Sequence, residues 1–180
     1  MRYYTIEATT VERKPFNETT PHLKDFVAFL DVLNKESDRG AVLVSVAMLD
    51  DILEKTILAF LLNKAETPKL LTGFNAPLGT FSARVIAAYS LGLISEREYR
   101  ECERLRKVRN EFAHNVHQSF NDQKVKDICA NLDFSAKGPV DAPVGTKGQY
   151  TTAASALILM LTNRPHYVAL RRLTFGEWTI

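Results

Sequence analysis

Arg109-Asn110-Glu111-Phe112-Ala113-His114 puts a guanidinium, a carboxamide and an imidazole close together, near the end of a basic amphipathic stretch. Such a set can bind a phosphate and move protons without a metal. The chemistry it fits is RNA cleavage, in which a 2′-hydroxyl attacks the adjacent phosphorus. That reaction needs a base, an acid and a cation for the charge on the phosphoryl oxygens. His114 is the candidate acid or base, because an imidazole titrates near neutrality. Arg109 offers a planar fork of donors to phosphate oxygens. Asn110 would orient the histidine or hold a phosphate. One chain supplies a single histidine, whereas two sets facing each other across a symmetric dimer supply an acid and a base together.

These residues need a helix to position them. At roughly 100° per residue, Asn110 and His114 share a face. Arg106, Lys107 and Glu103 extend that stripe backwards, and His117 joins it if the helix continues. Leu105, Val108 and Phe112 fall on the other side and should seat the helix on a core. Arg109 lies at the boundary, its stem against apolar neighbours and its head free to reach the stripe. The predicted catalytic set is therefore Arg109, Asn110 and His114, with Arg106, Lys107 and His117 as RNA contacts. Ser95-Glu96-Arg97-Glu98 has the form of a capping box and marks where this helix begins.

Around it the chain reads as a single all-α bundle of five or six helices spanning residues 20–163, with an N-terminal arm (1–19) and a C-terminal tail (164–180). Tyr4, Ile6 and Ala8 alternate with polar residues, a weak strand signal that Lys14-Pro15 interrupts. Thr20-Pro21 reads as an N-cap with proline at the first helical position. A second helix is expected from Ser37-Asp38 to about Leu62, apolar on nearly every side and so central. A connector rich in proline and glycine follows, from Asn63 to Leu78. A third helix is predicted from about Thr80 to Leu91, with Gly92 as its stop. A short fifth helix, Gln123 to Leu132, would be capped by Asn121 or Asp122. Residues 134–148 read as a flexible loop. A last apolar helix is expected from Thr151 or Thr152 to about Asn163, before Pro165.

Bulk properties narrow the classes. The 180 residues are one domain's worth, 46% hydrophobic and 24% charged, as in an ordinary globular protein. A formal net charge of +2 says little about partners, so charge has to be read locally. Cys102 and Cys129 form no C-x-x-C pair, and the start of the chain lacks the apolar core of a leader, which together predict a cytoplasmic protein. The longest greasy stretch, Ala153 to Leu161, is far short of the ~20 residues that span a bilayer, so no membrane partner is expected.

Other clusters read as structure. Asp38 and Arg39 with Arg84 are predicted to be structural ion pairs at the mouth of the buried helix. Asp50, Asp51 and Glu54 have no histidine or cysteine spaced to complete a metal site and read as a solvated stripe. His114 and His117 supply only two ligands, so no metal and no cofactor is expected. Gly145-Thr146-Lys147-Gly148 lacks the phosphate-loop pattern and reads as linker. Arg171-Arg172 makes only a small basic patch.

The blocks Glu36-Ser37-Asp38-Arg39-Gly40, Phe74-Asn75-Ala76-Pro77-Leu78-Gly79-Thr80-Phe81-Ser82-Ala83-Arg84 and Tyr89-Ser90-Leu91-Gly92-Leu93-Ile94-Ser95 resemble the mannitol operon repressor family. The likeness covers roughly residues 25–132 and runs through the hexad. It implies an all-helical bacterial protein of a family named as negative regulators of mannitol uptake and catabolism. At a second level, Arg109-Asn110-x3-His114 is similar to the Arg-x4-6-His signature of HEPN domains. That likeness implies a dimeric helical bundle, and in many members a metal-independent RNase of toxin–antitoxin, defence or RNA-processing systems. HEPN toxins silenced by a nucleotidyltransferase carry a tyrosine two residues after the histidine. Val116 stands there in this chain, which argues against that form of control.

Three readings stand at this point. One is an RNA-directed, homodimeric endoribonuclease built on Arg109, Asn110 and His114. Another is a non-enzymatic transcriptional regulator that works through a protein partner, either an antitoxin or a DNA-binding regulator. In the third, the polar stripe only forms an interface.

Overall fold

The computed structural model describes residues 23–139 and 142–177. The arm at 1–19 and the Thr20-Pro21 cap lie outside the described residues. Among the described residues the elements are helical: α1 (Lys24–Leu33), α2 (Asp38–Phe60), a 3₁₀ turn (Thr67–Leu70), α3 (Phe81–Ser90), α4 (Glu96–His114), α5 (Gln123–Ala130), α6 (Thr146–Thr162) and α7 (Arg164–Ala169). The all-α bundle is as the residue pattern predicts.

α2 is the axis, packing against α1, α3, α4, α6 and α7. Ala41, Val42, Leu49, Leu53 and Ile57 on it are fully buried. The two buried hydroxyls of this helix cost nothing unpaired, since Ser45 donates to the Ala41 carbonyl and Thr56 to that of Ile52, each at 2.7 Å. Across from it, the fully buried Tyr150 of α6 donates to the Val42 carbonyl at 3.3 Å. Phe120 bridges the rings of Phe112 and Tyr150, with centroids at 5.0 and 5.6 Å. These three rings join α4 to α6 through the segment before α5.

The helix ends follow local chemistry. Ser37 caps α2 by accepting the Gly40 N–H at 3.1 Å, and Thr80 caps α3 by accepting that of Ala83 at 3.2 Å. α3 stops at Gly92, whose φ of 70° suits only a residue without Cβ constraint. Gly92 and Leu93 return their N–H groups to the Tyr89 and Ala88 carbonyls at 2.9 and 2.8 Å, a Schellman closure. Asp122 stands at the N-cap of α5 but caps nothing there. Its carboxylate accepts the Ser119 N–H at 2.8 Å instead.

Two expectations need correction. α6 begins at Thr146 rather than Thr151 or Thr152, so Gly145-Thr146-Lys147-Gly148 is the N-cap and first turn of a helix and not a linker. The threonines that read as the helix start are inside α6, and their hydroxyls fold back onto carbonyls of the preceding turn, Thr151 onto Lys147 at 3.0 Å and Thr152 onto Gly148 at 2.7 Å. The loop at 134–148 is correspondingly shorter than predicted. α6 ends at Thr162, before Pro165 as expected, but a further helix, α7, follows with Pro165 in its first turn, a position that suits proline. The tail beyond α7 is strapped to α2: Leu173 donates to the Phe60 carbonyl at 2.8 Å, and Arg172 Nε to that of Ala59 at 2.9 Å.

Candidate functional site

α4 opens as predicted. Ser95 accepts the Glu98 N–H at 3.3 Å, and Glu98 Oε2 accepts the Ser95 N–H at 2.7 Å. Glu98 also receives Arg164 of α7 at 2.6 Å. Burial works to raise the Glu98 carboxyl, but Arg164 and the Ser95 donors outweigh it and hold it below the ordinary carboxylate range. One turn further on, Glu101 is fully buried. It accepts the Asp133 and Phe134 N–H groups at 2.9 and 3.0 Å, pinning the chain beyond α5 to α4.

Leu105, Val108 and Phe112 seat α4 on the core, while Arg109, Asn110 and His114 of the hexad lie off that buried face. Arg109 is exposed, and its Nη1 donates to Asn110 Oδ1 at 3.3 Å. Both line a cleft of about 590 Å³ whose other walls are Leu43, Val46, Ala47 and Asp50 of α2 and the Gly79–Ser82 turn into α3. Arg106 joins them there, with its guanidinium held by both Glu103 oxygens at 2.9 and 2.7 Å. The structure thus brings together Arg106, Arg109 and Asn110. His114 is exposed in the last turn of α4 and is not among the residues that line the cleft.

His117 and Lys107 do not belong to this stripe. The helix stops at His114, and Asn115 turns away in an extended conformation (φ −122°, ψ 116°). The Asn115 side chain completes the turn, with Oδ1 accepting the His117 N–H and Nδ2 donating to Gln118, both at 3.1 Å. Arg39 of α2 donates to the Asn115 carbonyl and fastens this end of α4. Lys107 opens onto a different groove of about 480 Å³ with Arg104, Lys124 and Asp127. Most cations there are already matched: Arg104 with Asp133 at 2.7 Å, and Lys124 with Glu111 at 2.8 Å.

Asp38, Arg39 and Arg84 do not pair with one another. Asp38 binds Lys147 at 2.8 Å and Arg39 binds the Asn115 carbonyl. Arg84 is buried and clamped by Asp50 at 2.8 Å and Glu54 at 2.7 Å, and it donates to the Leu71 and Leu78 carbonyls at 2.8 and 3.0 Å. Asp50 and Glu54 are therefore not a solvated stripe. Only Asp51 turns outward, pairing with Lys55 at 2.6 Å. The i, i+4 spacing of Asp50 and Glu54 on an otherwise apolar helix was the available signal for a buried cation opposite.

A central α2 with one exposed edge, a capped α4 across it, and a cleft between them and the α3 turn define an all-helical bundle. The chain belongs to the mannitol repressor family, whose model matches residues 32–165. Among solved structures it is similar to a chain of the X-ray structure of the MtlR–HPr complex from Escherichia coli. That alignment has a TM-score of 0.56 and 22% identity, covering 80% of this chain and 98% of that one. No curated protein sequence matches. No helix among the described residues is long and apolar enough to cross a membrane.

Proposed function

We propose that this chain is a regulatory protein that acts by binding another protein, with HPr as the first partner to test. The observation that carries the reading is the fold match over nearly all of a chain solved in complex with HPr. Two features of this molecule support it. Tyr167 and Leu170 on the C-terminal segment are 63% and 76% exposed, and with Leu91 they line one groove, the kind of apolar surface that marks protein contacts. The pairing of Arg104 and Arg106 of α4 and Lys124 of α5 with carboxylates also favours it, since a groove that tracks a nucleic-acid backbone needs uncompensated charge. Titration calorimetry and gel filtration with purified HPr test the reading. Co-elution and saturable heat that Leu170→Asp weakens would support it. Absence of a complex at about 100 μM of each protein would end it.

A second reading, metal-independent RNA cleavage by a homodimer, is favoured by the Arg109–Asn110 contact and by an exposed His114 one turn beyond. Its test is incubation with mixed RNA in EDTA beside Arg109→Ala and His114→Ala. Cleavage lost in both variants supports it, and uncut RNA excludes it.

A further inference from the structure

We infer that the cleft between α2, α3 and α4 binds a small phosphate monoester, with Arg109 as its principal ligand. The charges of the walls lead to an anion. Asp50 shares the buried Arg84 with Glu54, and Arg106 is paired with Glu103. Arg109, which lines the cleft, has no carboxylate partner among the described residues. Its single hydrogen bond to Asn110 leaves most of the guanidinium fork uncommitted. Glu103 uses only Nε and Nη2 of Arg106, which keeps the Nη1 edge of a second, already positioned fork available.

Neutral donors complete the set. Asn110 and Ser82 bring a carboxamide and a hydroxyl to the same space, and the Phe81 and Ser82 N–H groups of the first turn of α3 have no intrahelical acceptor, while Thr80 takes that of Ala83. A volume of about 590 Å³ takes a small organic phosphate rather than a bare ion, and Leu43 and Val46 give the ligand's carbon body an apolar side to rest on. A phosphate monoester, with about −1.5 to −2 charges near neutral pH and three acceptor oxygens, matches two forks better than a carboxylate does. The assignment is independent of any protein partner, and it competes with the RNA reading for Arg109.

Calorimetry on the full chain tests it with glycerol 3-phosphate and inorganic phosphate as probes. Saturable binding of glycerol 3-phosphate, tighter than that of inorganic phosphate, is expected. Arg109→Gln should weaken it on the order of tenfold, as should Ser82→Asp, which sets a like charge where the anion sits. Both sites tolerate substitution: Arg109 is exposed, and an acid in the first turn of α3 favours the helix. Melting curves check that each variant is folded, and Lys126→Gln on α5 should bind as wild type does. No saturable heat from either probe, or unchanged affinity in Arg109→Gln, overturns the assignment. Binding of a single-stranded RNA oligonucleotide without binding of the monoester overturns it too.

Discussion

The guanidinium of Arg84 on α3 lies 2.8 Å from the carboxylate of Asp50 on α2. With Glu54 and two carbonyls of the 71–78 segment, this contact locks the connector, α2 and α3 into one unit. The same Asp50 forms part of the cleft wall facing Arg106 and Arg109. Cleft geometry and stability are thereby tied to a single buried cation.

Replacing that cation should be costly. Arg84→Met leaves two carboxylates without their partner at a half-buried site, and a loss of about 3 kcal/mol is expected. Urea unfolding measures it. A change below about 1 kcal/mol would mean that water already screens the pair. Arg84→Lys should recover only part of the loss, since one ammonium cannot replace a fork that donates to two carbonyls and sits between two carboxylates.

The capping box predicts a smaller effect. Ser95→Ala removes the acceptor for the Glu98 N–H, and about 1 kcal/mol of stability should go with it. Ser95→Asp should hold most of that stability, because a carboxylate caps as well and favours the positive end of the helix. Equal losses from Ala and Asp would show that the cap is idle.

Much of this architecture was legible in the residues. Ser95 and Glu98, Thr80, Gly92 and the all-round apolar run of α2 each act within a few residues of sequence, so local chemistry marks them. What stayed hidden depends on contacts between distant segments. Asp50 looks like a surface acid until Arg84, thirty-odd residues on, is folded against it. Thr151 looks like a helix start because the preference of threonine for helix ends is statistical, whereas α6 begins at Thr146 and already includes the buried Tyr150. The site itself was half legible. Periodicity put Arg106 and Asn110 on one side of α4, but the walls that make a cleft of that side come from α2 and α3. His117 was misplaced because Asn115 ends the helix, and an asparagine turn is easily mistaken for a helical residue.

Acid should loosen the junction of α4 with α7. Arg164 and the Ser95 donors hold Glu98 below its ordinary value of 4.5. A carboxyl depressed in the folded state adds stability in full above 4.5 and loses it as pH falls through the folded value. Urea midpoints between about pH 3 and 6 should therefore fall on the acid side in wild type. In Glu98→Gln the curve should start lower and be flatter over this range. Parallel curves for the two proteins would remove Glu98 from the acid transition.

Both cysteines should be silent in the folded protein. Cys102 and Cys129 are buried, and burial with the nearby Glu101 pushes the Cys129 thiol up to about 12. Burial raises Cys102 further, with Glu98 adding to the effect. Thiolate is the reactive form, so labelling by a disulfide reagent at neutral pH should proceed only as fast as the protein opens. Two thiols titrating rapidly in native buffer would contradict that packing. In urea both should react at the rate of an unfolded cysteine.

Arg39 offers the sharpest probe of the hexad's end. Its donation to the Asn115 carbonyl crosses from α2 to the first residue beyond α4, next to His114. The contact is exposed, so Arg39→Ala should lower global stability by less than about 1 kcal/mol. Locally the consequence is larger, because the last turn of a helix frays unless its carbonyls are engaged. Hydrogen exchange should quicken on the order of tenfold at the amides of Asn115 and His117, which bond to Glu111 and to the Asn115 side chain. The amides of Leu105 and Val108, deep in α4, should exchange as in wild type. Unchanged exchange at Asn115 would show that the Asn115 side chain alone holds this turn. Faster exchange throughout α4 would instead mean that Arg39 supports the whole helix.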